Sequence, residues 1–353
     1  MKQLSLKTDT GRSQIYFSDI FSLSAEKNSL AVFDTHTERL FGKYFSNQNA
    51  FTFNAGEDSK NIETVTNIFS YAIEKKLNRA STFYAVGGGV VCDITAFCAS
   101  VFKRGVQLVL IPTSLLAMVD ASIGGKTGFD FAGIKNAVGS FFYAQKIYIF
   151  FDCLKTLSAA EYKNGLAEIL KIGMLADKKI IKLFENQNRD EFFMPSATLK
   201  KLIYLAVQAK IKIAQKDFYE KNIRMFLNLG HTFAHALESL SAFEIPHGEA
   251  VGWGLAQALR LGLSVGITES PYAEKIFALL RVIGYKTEFY DHTLLHDFKL
   301  TKSAFVNALI DAMRNDKKNS DERVSFILQK KLGKNFIYKI TCTELAKIFS
   351  EKF

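Results

Sequence analysis

Three of the six histidines fall within seventeen residues: His231, His235 and His247. His231 and His235 stand four apart in Asn228–Glu238 (NLGHTFAHALE), which reads as a loop entering a helix. At that spacing two side chains share one helical face, so both could point into one site. His247 lies in Pro246-His247-Gly248-Glu249, just ahead of another helical stretch. Neutral imidazoles bind divalent cations, and a carboxylate commonly completes a three-ligand site with one position left open. Glu238, Glu249 and Glu168 (in GLAEILK, 165–171) could each serve, and spacing does not choose among them.

Two glycine-rich loops could meet phosphate. The β-type run STFYAV (81–86) leads into Gly87-Gly88-Gly89-Val90-Val91-Cys92-Asp93 and then a helical stretch. Glycines let a backbone approach a pyrophosphate, and a helix start offers free N–H groups and a positive dipole end. The dinucleotide fingerprint is incomplete, because Cys92 holds its third glycine position. The second loop, Ser122–Gly128 (SIGGKTG), ends like a nucleotide-binding P-loop. The leading glycine of that motif would be residue 120, which is Asp120, so a P-loop ATPase is disfavoured and Lys126 stays a phosphate candidate.

The elements that must carry these residues follow from hydrophobic patterning. SLAVFD (29–34), STFYAV (81–86), VQLVLIP (106–112) and KIYIFFD (146–152) read as buried strands separated by helical stretches. Such alternation predicts a parallel sheet covered by helices, an α/β Rossmann-like domain over 1–155. Long helical patterns follow at 158–185, 196–217, 230–241, 248–266, 269–283 and 302–313, predicting a mostly α-helical domain over 156–353. Ligands in such architectures sit at the C-terminal ends of strands or in a cleft between domains.

Composition narrows the class. Of the 353 residues, 48% are hydrophobic and 23% charged, as in an ordinary globular protein. No apolar run reaches the length of about 18 residues that a membrane span needs, and the N-terminus does not read as a secretory signal. The four cysteines (Cys92, Cys98, Cys153, Cys342) form no CxxC pair, which suits a reducing cytosol and argues against a cysteine zinc site. The net charge of +10 is spread along the chain without basic–aromatic clusters, so no nucleic-acid partner is expected.

Taken in order and spacing, the motifs resemble the 3-dehydroquinate synthase family from about residue 29 to residue 340. The matching pieces are Gly56-Glu57-Asp58-Ser59-Lys60, GGGVVCD (87–93), Lys103-Arg104-Gly105, PTSLLA (112–117), VDAS (119–122) and GGKTG (124–128). They continue with Lys135-Asn136, GLAEILK (165–171), NLGHTFAHALE (228–238), PHGEAV (246–251) and Asp316-Lys317-Lys318. The resemblance implies a fold of NAD-binding and metal/substrate-binding domains and an enzyme of the shikimate pathway, a cytoplasmic homodimer. It implies conversion of 3-deoxy-D-arabino-heptulosonate 7-phosphate to 3-dehydroquinate and phosphate, with NAD removing and returning a hydride and Zn2+ or Co2+ polarising the substrate hydroxyls.

The same resemblance assigns roles residue by residue. Glu168, His231 and His247 would hold the metal, which makes His235 a hydrogen-bonding residue instead of the ligand its spacing suggests. Asp34, Glu57, Asp58, Ser59, Lys60, Gly88, Gly89, Val90, Val91, Cys92, Asp93, Thr113, Ser114, Lys126 and the segment Cys153-Leu154-Lys155-Thr156 would line the NAD site. Lys135 would lie near both nicotinamide and substrate. Arg104, Asp120, Asn136, Lys171, Lys210, Arg224, Asn228, His235 and a lysine of the Lys317–Lys318 pair would face the phosphorylated sugar acid. Two departures mark this chain. Cys92 replaces a glycine of the phosphate loop, and the family's Asn-His-Pro-like stretch reads Asp130-Phe131-Ala132-Gly133-Ile134, its glycine displaced by one. The second is expected to change the conformation of the loop beside the nicotinamide, and with it NAD affinity.

Overall fold

The computed structural model describes residues 2–8, 11–23, 25–290, 298, 300–314 and 323–353. The chain divides into two compact units, Met1–Gly165 with Met194–Arg224, and Leu166–Phe193 with Met225–Phe353.

The first unit is built on a seven-stranded sheet. Its strands are β1 (Lys2–Thr8), β2 (Gly11–Ser18), β3 (Ser29–Asp34), β4 (Asn49–Phe53), β5 (Thr82–Gly87), β6 (Gln107–Pro112) and β9 (Lys146–Phe150); β7 (Lys126–Phe131) and β8 (Ile134–Phe141) form a separate hairpin. The order is β1-β2-β9-β6-β5-β3-β4, parallel throughout except for the β1–β2 pair at one edge. The sequence patterning located β3, β5, β6 and β9 because their near-continuous apolar runs are buried on both faces. The β1–β2 edge and the β7–β8 hairpin have half-exposed residues and carry no comparable run. From β3 the chain moves outward to β4 and then returns to the other side of β3 to form β5. The strand order therefore reverses between β3 and β5, and the crevice beyond their C-terminal ends is where such sheets bind ligands. Asp34 ends β3, and Gly87–Gly89 link β5 to the helix α3 (Gly89–Val101), which follows α1 (Thr35–Phe41) and α2 (Ile62–Glu74).

The helix expected over 158–185 is two helices, α4 (Ala159–Ala176) and α5 (Lys178–Asn186). Asp177 separates them because its side chain accepts the N–H of Lys179 and caps α5. Next, α6 (Ala197–Lys216), capped by Ser196, packs within the first unit. In the second unit, α7 (His231–Leu240), α8 (His247–Ser264), α9 (Ser270–Ile283) and the helix Lys302–Arg314 match the expected pattern within a few residues. An antiparallel hairpin, β10 (Arg323–Lys331) and β11 (Lys334–Thr341), adds a strand pair that the helical reading had not anticipated. In β10, Val324, Phe326 and Leu328 alternate inward, a period of two that the sequence does carry.

The α7–α8 crossing sets the positions of two histidines. Gly230 precedes α7 with φ +78°, a left-handed conformation that suits glycine. A Cβ there would also lie 2.8 Å from the Leu255 nitrogen, and one on Gly254 would overlap the Gly230 carbonyl oxygen. The two helices thus meet backbone to backbone. Gly254→Ala is expected to destabilise this unit by about 2 kcal/mol, a fall in Tm of roughly 4–8 °C, because a carbonyl cannot rotate away as a side chain can. Calorimetry checks it; an unchanged Tm would mean that the helices can separate at no cost.

Candidate metal centre and ligand cradles

Three elements of the second unit converge on one carboxylate. Glu168 lies on α4 and is wholly buried, while His231 and His247 are the first residues of α7 and α8. The Nε2 atoms of His231 and His247 stand 3.5 and 3.6 Å from Glu168 Oε1. One ligand atom from each of the three lies within 4.8 Å of the others. A tetrahedral ion with bonds of about 2.0–2.1 Å needs ligand atoms about 3.4 Å apart, so the set fits a small divalent cation.

The outer nitrogens explain why both rings face inward. His231 Nδ1 stands 3.3 Å from the Leu229 carbonyl oxygen, and His247 Nδ1 stands 3.0 Å from Oε1 of the buried Glu238. Each partner can accept the Nδ1 proton, which turns Nε2 toward Glu168 as the atom that would meet a cation once it is deprotonated. Glu238, which the sequence offered as a ligand, is thus the outer partner of one. Glu249 is not among the three, and His235 stands beside the group, its ring 5.3 Å from that of His231.

Charge in this site is tightly balanced. Burial raises the Glu168 pKa, but Lys171 and His247 outweigh it and hold the carboxyl at about 2. Burial lowers the His247 pKa, but Glu168 and Glu238 outweigh it and push the imidazole up to about 10. Lys171, three residues after Glu168 on the same helical face, is itself buried and sets Nζ 2.5 Å from Glu168 Oε2 and 3.5 Å from His231 Nε2. Even so, among the described residues neither Glu168 oxygen has a well-directed hydrogen bond. The carboxylate is held by charge at short range, the condition in which a cation displaces protons readily. Asn228, in the same unit, turns its amide to the Met225 carbonyl.

In the first unit the expected NAD residues gather at strand ends. Asp34 Oδ1 caps α1 by accepting the N–H groups of His36 and Thr37. Gly88 begins α3 with no side-chain cap, and hypothetical Cβ atoms on Gly88 and Gly89 would come no closer than 3.7 Å to other residues. The backbone N–H groups of Gly89, Val90 and Val91 therefore open the helix without a protein acceptor from a cap. Cys92 faces inward: it is buried, its thiol is pushed up by burial, and Sγ lies 3.7 Å from the Gly87 carbonyl. It fills core space and leaves the loop's outer surface unaltered. Thr113 bonds Gly87 through its backbone, and Ser114 caps the turn that follows.

Around them, Glu57, Asp58 and Ser59 form a single helical turn leading to Lys60, which pairs with Asp93 at 2.7 Å and stands 4.0 Å from Glu57. Cys153 and Leu154 are buried in the turn after β9, where Lys155 pairs with Asp152 and the Thr156 hydroxyl bonds the Cys153 carbonyl. Lys126 pairs with Glu220.

Of the expected substrate residues in this unit, Lys210 donates to the Asp120 carbonyl at 2.7 Å and forms an ion pair with its carboxylate. Arg224 is buried, giving its Nη1 protons to the Gly124 and Phe218 carbonyls at 3.0 and 2.6 Å. A Cβ on Gly124 would overlap the Arg224 guanidinium, so the second glycine loop is shaped by an arginine within the fold. Arg104 is exposed on a left-handed turn (φ +69°), and Lys135 and Asn136 lie on β8. Lys317 and Lys318 lie outside the described residues. Sequence reasoning missed Glu220 and the outer role of Glu238, since nothing in the spacing of either announces its partner.

Comparison with known proteins covers both units. Residues 50–164 match the family model for the 3-dehydroquinate synthase N-terminal part, and residues 165–319 that for the C-terminal part. A 3-dehydroquinate synthase of Acaryochloris marina is 38% identical over 287 residues, covering 80% of this chain and 74% of its own. One of Rippkaea orientalis is 32% identical over 335 residues, covering 94% and 84%. Among solved structures, 2-deoxy-scyllo-inosose synthase complexed with carbaglucose-6-phosphate, NAD+ and Co2+ superposes with TM-score 0.85 at 20% identity over all of both chains. The 2-epi-5-epi-valiolone synthase of Streptomyces hygroscopicus, with NAD+ and Zn2+ bound, gives 0.78 at 25% identity over 92% of each.

With His247 protonated below about pH 10, cation binding must release a proton, so apparent affinity should rise with pH by up to tenfold per unit. Glu238→Gln should weaken binding by about 10- to 100-fold by loosening His247. Zinc titrations against a competing chelator at several pH values check both; affinity independent of pH would contradict the proton displacement.

Proposed function

The chain belongs to the 3-dehydroquinate synthase family, and from that premise we propose that it converts 3-deoxy-D-arabino-heptulosonate 7-phosphate to 3-dehydroquinate and phosphate, using NAD and a divalent cation, Zn2+ or Co2+. The observation that carries the reading is the convergence of Glu168, His231 and His247 in a chain whose relatives bear that activity. When bound, NAD takes up and returns a hydride, and the cation polarises the hydroxyls beside the reacting carbon.

The roles left to this chain's own groups are binding and charge. Glu168 and the two Nε2 atoms hold the cation, with Glu238 orienting His247. The open N-terminus of α3 and the Gly88–Gly89 turn receive the pyrophosphate, with Asp34 at the end of β3 and the Lys60–Asp93 ion pair alongside. Lys171, Lys210, Arg224 and Arg104, with Lys135, Asn136, Asn228 and His235, offer fixed cations and donors suited to a substrate bearing both phosphate and carboxylate. Lys210 and Arg224 now meet Asp120 and backbone carbonyls, so a bound anion would compete with partners already in place. We assign NAD to a domain over 1–155 and metal and substrate to 156–353, in a cytoplasmic homodimer. No helix among the described residues is long and apolar enough to cross a membrane.

Incubation with the heptulosonate phosphate, NAD and zinc should release phosphate without net reduction of NAD, and a chelator should stop it. Net reduction would indicate a polyol dehydrogenase, and turnover of sedoheptulose 7-phosphate instead would indicate a different cyclase. Lys171→Met keeps the aliphatic stem and removes the ammonium that shares Glu168 with the cation. It should cut turnover by orders of magnitude while bound zinc is retained or held more tightly. Near-normal kinetics would leave Lys171 as no more than the internal counter-ion of Glu168.

A further inference from the structure

Lys135 and Asn136 occupy an irregularity in the β7–β8 hairpin. Phe129 pairs with Val138, and Phe131 pairs with Ile134. Between these pairs β7 contributes one residue, Asp130, while β8 contributes three: Lys135, Asn136 and Ala137. Asn136, at the centre of this bulge, has φ +48°, a left-handed conformation that asparagine tolerates better than most side chains but that still needs support. The support is Asp130: its Oδ1 accepts the Asn136 backbone N–H at 2.7 Å. The backbone N–H of Asp130 in turn donates to the Lys60 carbonyl at 2.8 Å. Lys60 itself pairs with Asp93, at the start of α3.

Bulges of this kind re-aim side chains and recur beside active sites. The same five residues that depart from the family pattern, Asp130–Ile134, form the start of the irregularity and its turn, where Ala132 and Gly133 have φ +52° and +76°. We propose that Asp130 is a positioning residue. By closing the bulge on the Asn136 N–H, while anchored to the Lys60 backbone, it sets the directions in which Lys135 and Asn136 project. The proposal rests on the reading above that these two residues face the substrate. It gives the altered stretch a purpose: the hairpin keeps its two polar groups in register by a side-chain-to-backbone bond.

The test uses the zinc- and NAD-loaded enzyme and three variants. Asp130→Ala removes the acceptor, Asp130→Leu removes it at nearly constant volume, and Asp130→Asn keeps an oxygen at the same reach. Hydrogen exchange of the Asn136 amide reports the bond itself, and kcat and KM from phosphate release report its consequence. The alanine and leucine variants should each lose about tenfold in amide protection and about tenfold in kcat/KM, with Tm and bound zinc unchanged. Asp130→Asn should restore most of both. Unchanged protection in the alanine or leucine variant overturns the proposal, as does lost protection with unchanged kinetics, or an asparagine variant as impaired as alanine. An unmodified enzyme that releases no phosphate refutes the functional reading instead, and amide exchange then still decides whether Asp130 closes the bulge.

Discussion

A carboxylate with no access to water organises the second unit. Burying the Glu168 charge is costly unless cations surround it. Lys171 is supplied from its own helix, and His231 and His247 come from two others. Both histidines are first residues of helices, where the dipole disfavours a positive imidazole. The carboxylates of Glu168 and Glu238 must therefore outweigh both burial and the helix end to keep His247 protonated. A divalent cation placed among the same atoms satisfies the same negative charge more completely. The site is in this sense built around buried negative charge that needs cationic partners, and the close approach of α7 and α8 at Gly230 and Gly254 lets the histidines reach it.

The far end of α4, the helix that carries Glu168, is held just as specifically. Near the end of α4 the Met174 carbonyl would be one of the helix's orphan acceptors. It receives the Gln329 side-chain amide and the Gly333 N–H, both at 3.0 Å and both from the β10–β11 hairpin. Gln329 is buried and fully employed, since its amide also reaches Asn335 and its carbonyl oxygen accepts the Tyr272 hydroxyl. A buried polar group of this kind stabilises one arrangement sharply, because any shift leaves several hydrogen bonds unmade. The hairpin absent from the helical reading is thus the element that caps α4.

In the first unit, buried cations likewise meet acceptors within the fold: Lys60 with Asp93, Lys210 with Asp120, and Arg224 with two carbonyls. This changes the meaning of the two glycine loops. Gly88 and Gly89, where a Cβ would come no closer than ordinary contact to Ser114 or Ala121, stand at a helix start that has no side-chain cap, the condition for an anion to approach. Gly124 instead makes room for the Arg224 guanidinium, and Asp120, where a P-loop would have its leading glycine, pairs with Lys210. Cys92, on the inner face of α3, substitutes for glycine without touching the surface that an anion would meet.

The sequence by itself determined the strands β3, β5, β6 and β9, the major helices and the identity of the chemistry-bearing motifs. These are local properties: apolar runs bury on both faces of a parallel sheet, and helical periodicity repeats within a few residues. Motif register also named the family. Only the tertiary structure decided how side chains far apart in sequence are paired. Spacing alone favoured His235 as the companion of His231 and the motif resemblance named His247; the distance at which His247 meets Glu168 is set by the crossing of α7 and α8. By spacing Glu238 was one of three possible ligands, and the distance to His247 Nδ1 shows that it meets the outer nitrogen instead. The bulge around Asn136 was invisible for the same reason: a strand register is a relation between two segments, and neither segment encodes it alone.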